Sequence, residues 1–149
     1  MNNKEFNQML KKNGALYRRR GTCKNCRGKC CNFVVIGRKD KTTEGCFRYF
    51  KAHGALEVKD KWLGYHYLLF PSQCSLNDSC GNCLIFNKKS MPNPCFQFPH
   101  PQDSIYRYLL QTGNPCSFFF VDARTGKPWS MKRKVFFKKL EVKKNGEVK

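Results

Sequence analysis

Ten cysteines in a chain of 149 residues, most of them at short fixed spacings, restrict the fold more than any other feature. Cys23, Cys26, Cys30 and Cys31 form C-x2-C-x3-C-C, with Gly28 permitting a tight turn inside it. A two-residue gap lets both sulfurs of Cys23 and Cys26 reach one ion from a single turn, the knuckle of structural zinc sites. Cys80 and Cys83 repeat that spacing. Two such pairs, tens of residues apart, supply four thiolates for a tetrahedral site with Zn–S bonds of about 2.3 Å. Cys74 and Cys95 flank the second knuckle, so the set exceeds one mononuclear site. Adjacent Cys30 and Cys31 point in different directions in most backbone conformations and suit either different ions or one larger cluster. An iron–sulfur cluster also takes thiolates, commonly three from a compact loop and a fourth from elsewhere. Spacing leaves open two zincs, one zinc with spare thiols, and an iron–sulfur cluster. Cys46 and Cys116 lie outside both groups and read as small packing residues.

The chain has reason to recruit a metal. Leu, Ile, Val and Phe make up 34 residues, modest for a strongly charged chain. The expected apolar core is thin, and thiolate–metal bonds can supply what it lacks. The compartment decides what the cysteines mean. Residues 1–14 lack the apolar run of a secretory signal, and no stretch approaches the roughly 18 apolar residues of a membrane span. A cytoplasmic location is expected, where disulfides are rare and thiolates persist. A secreted, disulfide-rich protein is the competing reading.

Charge divides the chain. Residues 1–22 carry a net +5 and are expected to form a basic N-terminal helix or extension. Residues 23–126 hold every cysteine, carry +7 and form the expected metal-binding domain. Residues 127–149 carry another +7 and are expected to be a basic hairpin strand and tail. Periodicity predicts a helix through Phe6, Met9, Leu10, Leu16 and Tyr17, starting behind Asn2 and Asn3. A second, capped by Thr42 or Thr43, runs through Cys46, Phe47 and Phe50 to Gly54. Asp103 caps a third, with Ile105, Tyr108, Leu109 and Thr112 on one side and Gly113 as its stop. Residues 33–36, 64–70 and 116–122 favour strands, and 122–127 reads as the turn of a hairpin returning near Trp129. The expected class is α+β: a small metal-stabilised domain of short helices and a small antiparallel sheet.

The cysteine pattern resembles a known family. Cys23-x2-Cys26-x3-Cys30-Cys31, then Cys74, then Cys83-Leu-Ile-Phe86, then Pro92-Asn-Pro-Cys95-Phe-Gln-Phe-Pro99 are similar to the YkgJ-type CxxCxxCC family, described as a zinc- or iron-chelating domain. The resemblance spans about residues 23–99. It implies Cys23, Cys26, Cys30, Cys31, Cys74, Cys83 and Cys95 as ligands; Cys80 joins them from knuckle spacing alone. This chain has one residue inserted between Cys26 and Cys30, and two between Phe86 and Pro92. Phe86 stands for the family's usual Tyr, and Met91 and Phe96 for two usual arginines.

Among the histidines, His100 follows the last of these cysteines and is the one placed to replace a thiolate; a solvent-facing loop residue is its ordinary reading. His53 and His66 have no such neighbourhood. Arg124-Thr-Gly-Lys127 lacks the frame of a phosphate-binding loop, and the cysteine gaps run in the wrong order for a radical-type SAM enzyme. Aromatic rings stand among basic residues at both ends: Arg18, Arg19 and Arg20 beside Tyr17, and Lys132, Arg133, Lys134, Phe136, Phe137, Lys138 and Lys139. Such mixtures bind phosphates and exposed bases. The leading reading is therefore a protein chelating zinc or an iron or iron–sulfur centre. Two others stand beside it. One is a zinc-knuckle protein binding RNA or DNA, or an acidic protein, through its basic surface. The other is a small iron–sulfur redox or group-transfer enzyme.

Overall fold

The computed structural model describes residues 2–22, 28–39, 44–78, 80, 82–85, 88–91, 95, 97–113 and 116–138. Among them are three helices and two small antiparallel sheets, an α+β arrangement.

Helix α1 (Asn3–Lys12) starts with a capping box: the Asn2 side chain accepts from the Glu5 N–H, and the Glu5 carboxylate accepts from the Asn2 N–H. It buries Phe6 and Leu10. The helix stops at Asn13, earlier than periodicity predicts, and Leu16 and Tyr17 leave its face. Tyr17 instead opens strand β1 (Tyr17–Gly21), whose basic sequence gives no strand signal of its own. Its pairing with β5 (Phe118–Asp122) makes it a strand, aligning Tyr17 with Asp122 and Gly21 with Phe118. At Gly21 any Cβ would lie 2.2 Å from the Ser117 carbonyl oxygen, so the two strands meet there only because the residue is glycine.

A turn of 3-10 helix (Lys29–Asn32), entered from Gly28 at φ 66°, leads into β2 (Phe33–Arg38). Helix α2 (Glu44–Ala52) follows, its expected caps Thr42 and Thr43 lying outside the described residues. Strand β3 (Leu56–Lys59), not foreseen from the sequence, pairs with β4 (His66–Pro71), which lies between β3 and β2. Helix α3 (Ser104–Gln111) sits between the two sheets. Tyr106 and Leu109 face a core with Phe6, Leu10, Tyr17, Cys116, Phe120 and Trp129. Ile105 and Tyr108 also reach Val58, Tyr67 and Leu69 of the three-stranded sheet.

The expected 122–127 turn is present. Asp122 accepts the N–H groups of Arg124 and Thr125, and the returning chain bridges Val121 to Pro128. Beyond it, Ala15 bridges Phe137, and the Leu16 N–H donates to the Phe136 carbonyl at 2.9 Å. Both basic ends thus contribute to the core shared with α3 and β5. No described helix is long and apolar enough to cross a membrane.

Candidate metal centre

The β2–β4 ladder brings the first two cysteine stretches together. Phe33 aligns with Pro71, and the pairing continues past the strand ends: Ser72 N–H donates to Asn32 O at 2.9 Å, and Cys74 N–H to Cys31 O at 3.0 Å. Cys31 and Cys74 are thereby backbone neighbours although 43 positions apart. The next cysteines sit on a small loop tied at its neck by an Asn77–Cys83 bridge and the Leu84 N–H to Leu76 O bond. Asp78 Oδ1 accepts from the backbone of both Cys80 and Asn82, each at 2.9 Å, which shapes the Cys80–Cys83 knuckle.

Cys95 closes the arrangement. Its thiol is pushed up from the ordinary value, first by partial desolvation and then by the charges of Cys31, Cys83 and Cys74. The Cys95 sulfur therefore lies within electrostatic reach of three others, each from a different part of the chain. Gathering thiolates is unfavourable until a cation offsets their repulsion. Cys30 adds a fifth, its Sγ 4.0 Å from that of Cys31, close to the roughly 3.8 Å sulfur–sulfur edge that a tetrahedral site with 2.3 Å bonds implies. Cys80 is exposed, and Cys74 and Cys83 are half-buried; none of the three is in a disulfide. Cys23 and Cys26 lie outside the described residues. Among the described residues no three His, Cys, Asp or Glu side chains yet converge tightly enough to hold an ion. Cys46 is exposed on α2, and Cys116 is buried in the main core.

His100 is not an open loop residue. Its ring packs against Phe6 at 5.1 Å and its Nδ1 hydrogen-bonds with the Tyr17 hydroxyl at 3.2 Å. Burial, then Arg19, lowers its pKa below the usual value. The half-buried Asp103 accepts the His100 backbone N–H at 2.5 Å and does not cap α3 with its side chain. Burial pushes this carboxyl up to about 6. Both residues border a cavity of about 260 Å³ between β2 and α3, with Val35, Gln97 and Ile105. His53 packs on Tyr49, and His66 lies 3.5 Å from Glu57.

The basic residues divide sharply. Arg19, expected at a phosphate, is only 1% exposed. Asn3 Oδ1 accepts from its Nε at 2.8 Å, Phe98 O accepts from Nη1 at 2.7 Å, and the rings of Phe6 and Phe118 cover its guanidinium. Strand alternation turns it inward, while Arg18 and Arg20 are exposed. Arg133 pairs with Asp122 at 3.0 Å and lies over Trp129. Lys132, Lys134 and Lys138 are exposed, Phe136 packs against the core, and Phe137 lies beside Tyr17. Lys139 falls outside the described residues.

Sequence reasoning missed the fully buried Arg107–Asp60 pair. Arg107 Nε and Nη2 donate to the Asp60 carboxylate, the latter at 2.9 Å. The guanidinium also reaches the carbonyls of Pro101 and Met131, each at 3.0 Å. Asp60 in turn accepts from the Trp62 and Leu63 N–H groups. The available signal was Asp60 followed by turn residues ending in Gly64; nothing local marks Arg107 as its partner.

Comparison with known protein families, curated proteins and solved structures finds no match for the chain.

Proposed function

We propose that the protein binds zinc or iron, the latter singly or as an iron–sulfur cluster, through clustered thiolates in a reducing, cytoplasmic setting. The observations carrying this reading are that the β2–β4 register makes Cys31 and Cys74 backbone neighbours and that Cys95 lies within electrostatic reach of Cys31, Cys83 and Cys74. Cys23, Cys26, Cys30 and Cys80 are the further donors. The similarity to the YkgJ-type pattern supports the same ligand set.

A second fact favours metal over incidental clustering. From residue 72 to residue 98 no described residue is buried, and Leu76 and Leu84 are exposed. Where the described apolar side chains are at most half-buried, hydrophobic burial does little to order the chain. A bound cation supplies both charge compensation and cross-links; the chain's part is to deliver deprotonated sulfurs. Because Cys95 must lose a proton from a raised pKa, metal affinity should increase with pH and fall in acid, with protons released on binding.

Anaerobic purification followed by elemental analysis and visible absorption tests the reading. Zinc without colour, or iron with brown absorption, is expected at one equivalent or more. Cys83→Ser and Cys95→Ser should each lose most of the metal, while Cys116→Ser retains it. Folded, metal-free protein with every thiol titratable would overturn the assignment.

A further inference from the structure

The β1–β5 pair has two chemically opposite faces. Directly opposed residues of an antiparallel ladder share a face, and successive residues alternate. Tyr17, Arg19 and Phe120 turn inward and are buried. Arg18 and Arg20 turn outward, opposite Val121 and Phe119. Both arginines are exposed, and neither forms an ion pair with a described residue. In the run Phe118-Phe119-Phe120 the pleat sends the middle ring away from the core, leaving Phe119 53% exposed. Among the described residues of these two strands, no acidic side chain lies on this face. Asp122 belongs to the inward-facing set, caps its own turn and engages Arg133.

We propose that this outer face binds single-stranded nucleic acid, with Phe119 stacking on a base while Arg18 and Arg20 hold phosphates beside it. The two arginines lie about 6.7 Å apart along the strand, suited to following an extended backbone. A net charge of +19 steers a polyanion toward it. An acidic peptide would use the arginines equally well but has no use for a flat exposed ring beside Arg20. A base stacks on that ring whatever its identity, so recognition is tolerant of sequence. Duplex bases are already stacked and leave Phe119 no partner.

Fluorescence anisotropy with labelled oligouridine, oligothymidine and a DNA duplex, over a salt series on the full chain, tests this. Phe119→Ala should weaken single-strand binding roughly 5- to 150-fold with little change in salt slope. Phe119→Trp should restore binding, whereas Phe119→Leu, which keeps apolar bulk without the π-face, should not. Arg18→Gln and Arg20→Gln should each flatten the log–log salt slope by about 0.7. Thermal melts of all five variants should match the parent, since these side chains face solvent. Four results would each overturn the proposal: no binding at low salt, equal affinity for duplex, undiminished binding by Phe119→Ala, or full activity in Phe119→Leu. Displacement of the oligonucleotide by polyglutamate at equal charge would instead identify an acidic protein as the partner and also overturn it.

Discussion

Around Tyr17, side chains from α1, β1, α3, β5 and the returning chain interlock into a core of buried aromatic and aliphatic groups. Around Cys31, Cys74, Cys83 and Cys95 the described chain is held by turn hydrogen bonds, and Leu76 and Leu84 among its apolar side chains face water. The contrast inverts the composition. Much of the positive charge lies at the ends of the chain, and described residues from both ends join the best-packed region, whereas the cysteine-rich middle contains a stretch, 72–98, in which no described residue is buried. Hydrophobic burial orders the first region; in the proposed reading, metal–thiolate bonds order the second.

Removing the metal should break this comparison most visibly, because structural zinc contributes about 10–16 kcal/mol of apparent binding energy. After chelation, hydrogen exchange should accelerate strongly across residues 72–98 while α1, β1 and β5 remain protected. Equal protection in both regions would show that the cysteine segment orders itself. Next in size is Arg107→Ala, which leaves Asp60 buried and uncompensated. A loss of about 3–5 kcal/mol is expected in chemical denaturation, centred on the α3 region and not on the metal content.

A smaller effect follows from Asp103. A carboxyl raised to about 6 favours the protonated form in the fold. Its contribution is therefore full below about pH 4 and lost as pH rises through about 6. Asp103→Asn should remove that loss, changing the stability difference from the parent by at most about 3 kcal/mol between pH 4 and 7. His100, whose pKa is lowered, works in the opposite sense but is common to both proteins. The smallest effect sharpens the picture of the apolar region: Asn2→Ala removes the capping box of α1 and should cost about 1 kcal/mol in thermal melts.

Legibility in the sequence followed the range of the interaction. The α1 start, the Gly28 turn, the 122–127 turn and the span of α3 each depend on residues within a few positions, and each was readable. The end of α1 was not, because Leu16 and Tyr17 keep helical spacing while their actual partners are Phe136 and Asp122. The knuckle spacing of Cys80 and Cys83 was readable, but the adjacency of Cys31 and Cys74 depends on the β2–β4 register. Arg18, Arg19 and Arg20 are equivalent as letters. Only a strand paired on one side and packed on one face can bury the middle one and leave its neighbours in water.

By itself, then, the sequence determined the cysteine content, the knuckle spacings, the cap of α1 and the excess of positive charge, since each is a property of residues near one another in the chain. Tertiary structure alone decided which cysteines meet, which arginine is buried beneath Phe6, which phenylalanine faces solvent, and that Asp60 finds Arg107. Those outcomes depend on register and on packing between distant segments, where one residue of slip in a strand exchanges its inner face for its outer one.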